Sequence, residues 1–289
     1  HGWYMDAAAA EAQALLGITG EELLVGGYRI YTALDRQAQL SAELLYEDGA
    51  NFPDSAKDGV PAQAALVAMN IQNGEIVSLV GGRSYDVRLG LNRATQIRRQ
   101  PGSAIKPVST YAAAIERFGF LPSNFISDEK RAFAGGYSPG NVGGHYYGEV
   151  TLREALSRSL NVATVDLADT IGISSVRAQI GRFGIKLSDD DANLALALGA
   201  LTDGVSPAEL CAAYASLGNG GMRVTPHLIR RIESADGKVL CEAPQEFQRA
   251  VTPETAYMLT DMLTTAAAEG SAKALNSVNA NVAAKTGTV

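Results

Sequence analysis

Cysteine, histidine and tryptophan are scarce in this chain of 289 residues, with two, three and one respectively. Cys211 and Cys241 lack metal-ligand spacing and are too few for a disulfide framework. Whether they pair is not readable from the sequence. His1, His145 and His227 are scattered along the chain. Neither a histidine-based triad nor a zinc site is expected. There is no Gly-x-Ser-x-Gly elbow and no phosphate-binding Gly-x-x-x-x-Gly-Lys. No apolar run approaches the roughly 18 residues of a membrane span. No signal peptide is visible, and the chain opens on His1 rather than Met. The expectation is that this is not the natural N-terminus, so no targeting segment here reports localisation. Positive charge is in deficit: 24 Lys and Arg against 31 Asp and Glu give a net charge of −7. That balance argues against non-specific nucleic-acid binding.

Hydrophobic residues make up 46% of the chain, enough to bury a sizeable core. The length suits one large domain, or a domain with a smaller module. Residues 5–17 read as a helix stopped by Gly17. Tyr28–Leu34 alternates as a strand does. Asp35 is placed to cap a helix from Arg36 to about Tyr46. Residues 47–61 are polar and punctuated by Gly and Pro, as a linker is. Ala64–Ile71 and Glu75–Val80, separated by Asn73-Gly74, predict an antiparallel hairpin. Later, 132–148 reads as a glycine- and tyrosine-rich loop. Thr151 with Glu154 three residues on makes a capping box, opening a short helix over Leu152–Arg158. Further helices are predicted over Val162–Ile171, Ser175–Phe183, Pro207–Leu217 and Pro253–Ala268. Two strands are expected within 222–242 around Asp236-Gly237, and one over Asn281–Val289.

The chain is organised around Arg99–Pro107, which contains Ser103-x-x-Lys106. On a helix this spacing puts hydroxyl and amine on one face. An adjacent amine can take the proton that keeps serine from being a nucleophile. Pro101-Gly102 breaks what precedes, and Pro107 is tolerated only in a first turn, so a helix is predicted to begin near Ser103. Alone, Ser-x-x-Lys is a weak signal. Ser159-Leu160-Asn161 just past a short helix, and Lys285-Thr286-Gly287 on a predicted strand, are each ordinary too. In this order and context the three together are specific for penicillin-recognising serine enzymes.

With those motifs, the chain resembles the transpeptidase domain of class A (bifunctional) penicillin-binding proteins. The resemblance extends to GGYRIYTALDRQAQ, to Asn92-Arg93-Ala94-Thr95 leading into RRQPGSAIKP, to GEVTLREALSRSLNVATV, and to LALGALTDGVSPAELCAAYASLGNGG. It implies an α+β penicillin-binding and serine β-lactamase-like fold: an antiparallel sheet with helices on both sides, plus an all-α subdomain. It also implies a linker region over 1–61 and the transpeptidase domain over 62–289. Ser103 would attack the carbonyl between two D-alanines of a peptidoglycan stem peptide, and β-lactams would inhibit it. Lys106 would be its base, with Lys285 lowering the lysine pKa. Ser159 would relay a proton to the leaving amine, and Asn161 would hold the substrate amide. Lys285, Thr286 and Thr288 would bind the terminal carboxylate, with Gly287 in the same motif. The Ser103 and Thr288 N–H groups would form the oxyanion hole. The parent chain is expected to be membrane-anchored on the extracytoplasmic face, with a glycosyltransferase domain ahead of this segment.

The family carries two further strands and a helix after its third motif, so the domain is expected to be cut at its C-terminus. The Ala283–Thr288 strand would then lack its partner. A runner-up keeps the fold and passes the acyl group to water, as a D,D-carboxypeptidase or β-lactamase does. No Glu-x-x-x-Asn segment follows Asn161 to position such a water. A β-lactam sensor would need membrane helices and an effector. A binding module with a dead site conflicts with three intact motifs.

Overall fold

The computed structural model describes residues 1–55, 57–243 and 246–289; Ala56, inside the expected linker, lies outside them. In chain order the first elements are α1 (Gly2–Leu16), α2 (Gly20–Val25), β1 (Arg29–Thr32), α3 (Arg36–Glu47), β2 (Leu66–Met69) and β3 (Ile76–Val80). Then come α4 (Thr110–Phe118), β4 (Phe125–Asp128), β5 (Gly148–Thr151), α5 (Leu152–Ser157), α6 (Asn161–Ile171) and α7 (Ile173–Arg182). The last are α8 (Pro207–Gly218), β6 (Met222–Val224), β7 (Ile229–Glu233), β8 (Val239–Glu242), β9 (Phe247–Arg249) and α9 (Pro253–Ala268). The chain forms two compact units. One comprises 1–98, 206–215 and 224–247, the other 99–205, 216–223 and 248–289.

In the first unit, β7 lies between β1 and β8, antiparallel to both, with Arg29 opposite Glu233 and Ile232 opposite Cys241. β2 and β3 form the predicted antiparallel hairpin, Leu66 facing Val80. Its turn is longer than Asn73-Gly74 alone, because Gly74 N–H donates to Asn70 O and the ladder starts only beyond Glu75. Gly74 has φ +83°, and a Cβ there would sit 2.4 Å from Thr225 O, so glycine is required. Backbone bonds from Ala33 to Leu228, Asp35 to Val77 and Ile76 to His227 stitch the hairpin and the three-stranded sheet into one layer. α1 packs on that layer through Trp3, Tyr4 and Ala8. The Tyr4 hydroxyl donates to Ile76 O at 2.7 Å, and Glu11 accepts from the Leu228 and Ile229 N–H groups. From α3, the buried Gln39 side chain pairs with both backbone groups of Leu79.

The second unit is mainly helical. Tyr111, Ala112, Ala113 and Ala114 of α4 are all fully buried, as befits a helix apolar on every side. α6, α7 and α9 pack around it. Two helix starts follow the sequence signals: Thr151 makes the capping box with Glu154, and Thr252 caps α9 ahead of Pro253. β4 and β5, which the sequence did not predict, pair antiparallel on either side of the 132–148 loop, Ile126 opposite Val150.

Two elements depart from expectation. The single helix expected from Ser103 is a 3₁₀ segment over Gly102–Val108, a break at Ser109 (φ −122°, ψ −103°), and then α4. Pro107 has no N–H to bond the Ser103 carbonyl in an α-helical pattern, so the turn tightens. The strand expected over Asn281–Val289 is not formed. Among the described residues no strand pairs with it, and one backbone bond, Ala284 N–H to Leu263 O, ties it to α9.

Candidate active site

All the residues singled out by the three motifs lie in the second unit. Lys106 is fully buried; Ser103, Ser159, Asn161, Lys285 and Thr286 are partly buried; Gly287 and Thr288 are exposed. In the 3₁₀ segment, residues three apart eclipse one another, so Ser103 and Lys106 point the same way. No hydrogen bond joins them. The Ser103 hydroxyl has no partner among the described residues.

Lys106 instead reaches the second motif. Its Nζ donates to Asn161 Oδ1 at 2.8 Å, Ser159 O at 2.9 Å and Leu160 O at 3.2 Å. The Ser159 hydroxyl is 3.5 Å away. Lys285 approaches the same hydroxyl from the third motif, its Nζ donating to Ser159 Oγ at 2.7 Å and to Thr286 O at 3.0 Å. One hydroxyl therefore accepts from two amines and keeps its own proton to give to a third group. Burial, reinforced by the Lys285 charge, holds the Lys106 pKa well below that of an ordinary lysine, against an opposing pull from Asp128. Burial also lowers Lys285, to about 8.

Ser159 achieves this position at a conformational cost. α5 ends in paired bonds, Leu160 N–H to Ala155 O and Ser159 N–H to Leu156 O, the geometry of a Schellman motif. The residue after the cap is then left-handed, usually glycine, but here it is Ser159 at φ +61°. Ser159→Gly is expected to leave stability unchanged or raise it by up to about 1 kcal/mol, since left-handed strain is relieved. The hydroxyl that both lysines contact is lost, so any proton transfer through it should nonetheless slow by about 10²–10⁴. Thermal melting beside penicillin-acylation kinetics checks both. A loss of stability with activity intact would reverse the reading.

The third motif is docked on the first by glycine. Gly102 has φ +53°, and a Cβ there would lie 2.2 Å from Thr288 O; on the neighbouring side, a Cβ on Gly199 would lie 2.3 Å from Gly102 O. Both glycines are needed for three backbones to meet. The contact sets the Gly102 backbone against Thr288, and neither the Ser103 N–H nor the Thr288 N–H has a partner among the described residues. The Thr286 hydroxyl donates to Ser271 Oγ at 2.9 Å, and Ser271 N–H donates to Ser157 O.

Sequence reasoning missed Ser271, Asp128 and Asn141. Asn141 stands in the Gly-rich loop, where Pro139-Gly140-Asn141 signals only a turn. Asp128 ends β4 with no spacing signal at all. Among the described residues no cluster has metal-ligating composition, and no helix is long and apolar enough to cross a membrane.

The chain as a whole has relatives among known proteins. The penicillin-binding protein transpeptidase domain family matches residues 64–289. Penicillin-binding protein 1F of Bacillus subtilis (strain 168) is 33% identical over 284 residues, covering 98% of this chain and 38% of that protein. Penicillin-binding protein 1A of Clostridium botulinum (strain Langeland) is 34% identical over 280 residues, covering 92% of this chain and 34% of that protein. The chain thus spans little more than a third of these relatives. Among solved structures, the PonA1 protein of Mycobacterium tuberculosis in complex with penicillin V superposes with a TM-score of 0.78 at 24% identity, over 92% of this chain and 71% of that one. Penicillin-binding protein A of M. tuberculosis, as its imipenem acyl-enzyme complex, gives 0.74 at 22%, over 96% of this chain and 72% of that one. These structural likenesses establish the fold. With the match over 64–289, the chain belongs to the penicillin-binding protein transpeptidase domain family.

Proposed function

We propose that this chain carries a D,D-transpeptidase that cross-links peptidoglycan stem peptides through an acyl-enzyme on Ser103, and that β-lactams acylate the same serine. The observation that carries this reading is the convergence of Lys106 and Lys285 on the Ser159 hydroxyl. The family match beginning at residue 64 supports assigning catalysis to 62–289, with 1–61 as the segment leading into it.

In this reading Lys106, buried and easily deprotonated, takes the Ser103 proton as Oγ bonds to the carbonyl carbon of the penultimate D-alanine. The Ser103 and Thr288 N–H groups hold the oxyanion. The proton passes from Lys106 through the Ser159 hydroxyl to the departing nitrogen, the C–N bond breaks, and D-alanine leaves. An amine of a second stem then attacks the ester carbonyl. Its proton returns along the same path to Ser103. Asn161 holds the peptide amide, and Lys285 with Thr286 and Thr288 holds the terminal carboxylate. The parent protein acts on the extracytoplasmic face, membrane-anchored and carrying a glycosyltransferase domain.

The full-length protein, incubated with a D-Ala-D-Ala stem peptide and an isotope-labelled amine acceptor, should form the amide-linked product, read by mass spectrometry. Release of D-alanine with only the hydrolysed peptide would instead assign a carboxypeptidase.

The pH dependence follows from the two lysines. Acylation should rise with pH as Lys106 loses its proton, then fall above about pH 8 as Lys285 loses the charge that binds the carboxylate. Lys285→Arg should carry the falling limb to higher pH, since a guanidinium keeps its proton. Second-order penicillin-acylation rates from pH 5 to 10 measure this. A flat profile above pH 8 would remove Lys285 from carboxylate binding.

A further inference from the structure

α6 begins without a cap of its own. Its N-cap residue, Leu160, has no side chain that can accept, yet Val162 and Ala163 are buried. Orphan N–H groups at a buried helix start must be satisfied from somewhere. They are satisfied in trans. Asn141 Oδ1 accepts from Asn161 N–H at 2.8 Å and Val162 N–H at 3.1 Å. Asp128 Oδ1 accepts from Ala163 N–H at 3.2 Å. The two capping side chains are locked together, the Asn141 amide donating to both Asp128 oxygens at 2.9 and 2.8 Å and to His145 O at 2.9 Å. Tyr147 N–H completes the carboxylate at 3.0 Å. Asp128 is fully buried and Asn141 is nearly so. A carboxylate at a helix start also meets the positive end of the helix dipole.

This cap sets the first residue of α6, and that residue is Asn161. The carbonyls and side chains that hold the Lys106 Nζ belong to Ser159, Leu160 and Asn161, all at this helix start. Asn161 is further pinned by its own amide donating to Gly140 O at 2.8 Å, next to Asn141. We propose that Asp128 and Asn141 are positioning residues of this site: by capping α6 from outside, they fix Ser159 and Asn161 against Lys106. Asp128 is also, with Lys285, one of the two charged groups felt by Lys106, and the pair pull in opposite directions. The inference rests on the proposed acyl-enzyme chemistry at Ser103.

The test is the penicillin-acylation rate constant of full-length protein, measured against pH with Asp128→Asn, Asn141→Ala and Asn141→Ser. A rate constant, unlike an amplitude, does not depend on how much protein has folded. Asp128→Asn and Asn141→Ala should each slow acylation by about 10²-fold, the effect of misplacing a proton-transfer group by an ångström. Asn141→Ser, which retains one acceptor, should fall between Asn141→Ala and wild type. Asp128→Asn should also move the rising limb to lower pH, because the negative charge that helps Lys106 keep its proton is gone. The control is Asp191→Asn. That carboxylate is equally buried in the same unit, bonded to Ser188 and Thr202. It should cost stability without moving the limb. Wild-type rates in the Asp128 and Asn141 variants would overturn the positioning role. So would a loss equal at every pH and matched by Asp191→Asn. Failure of the wild type to acylate would instead overturn the proposed chemistry.

Discussion

Ser103→Ala is expected to abolish covalent labelling by penicillin entirely, while thermal melting stays within about 0.5 kcal/mol of wild type, as for a surface substitution that breaks no contact. The two halves of that expectation come from one observation. The Ser103 hydroxyl is partly exposed and hydrogen-bonds to nothing among the described residues, so its removal costs the fold almost nothing. Yet it sits three residues before Lys106 in one 3₁₀ segment, next to the Gly102 that docks on Thr288. In the proposed mechanism the serine forms the covalent bond itself, so no residual rate from the oxyanion hole can produce a labelled protein. Labelled penicillin followed by peptide mapping of the full-length protein reads the outcome directly. Label retained in Ser103→Ala, or mapped to another residue, would displace the nucleophile. A large loss of stability would mean that the hydroxyl has a structural duty in the folded chain.

Much of the fold was legible because the residues that start its helices act through local rules. Thr151 and Glu154, four residues of chain, cap α5 on their own. Asp35 accepts from Gln37 and Ala38, and Pro253 sits where a helix tolerates it. The three motifs were readable as motifs because order and spacing survive without knowledge of the fold. What was not legible depends on partners far along the chain. A strand needs a neighbour, so the strand-like stretch at 281–289 said nothing of whether a ladder forms. Pro107 was read as a residue of a first turn, which it is, but its missing N–H also converts that turn to 3₁₀ and forces the break at Ser109. Ser159 in a left-handed conformation contradicts the local preference for glycine there. Such conflicts between local preference and observed geometry concentrate at functional sites. Asp128 and Asn141 reach α6 from 35 and 20 residues away, and no periodicity links them to it.

Lys106→Ala is expected to slow acylation by more than the roughly 10²–10⁴ that loss of a proton-transfer partner costs on its own. The excess arises because Lys106 is also the hub that gathers Ser159 O, Leu160 O and Asn161 Oδ1. Without it those acceptors lose their donor, at about 1–3 kcal/mol for each that water does not reach. The Ser159–Asn161 segment then has less reason to hold its geometry. Lys106→Arg separates the two roles: a guanidinium can still donate to carbonyls but does not give up its proton. It should recover part of the stability and almost none of the rate. Lys285→Ala should behave differently. It removes the charge that binds the carboxylate, so saturation should need more substrate. It also removes a like charge near Lys106, so Lys106 should hold its proton more tightly and the rising limb should move to higher pH. Acylation rates against substrate concentration, repeated across pH for the three variants, distinguish these outcomes. A Lys106→Arg variant that acylates near the wild-type rate would show that the base lies elsewhere, and the Ser159 hydroxyl held by Lys285 would become the group to examine.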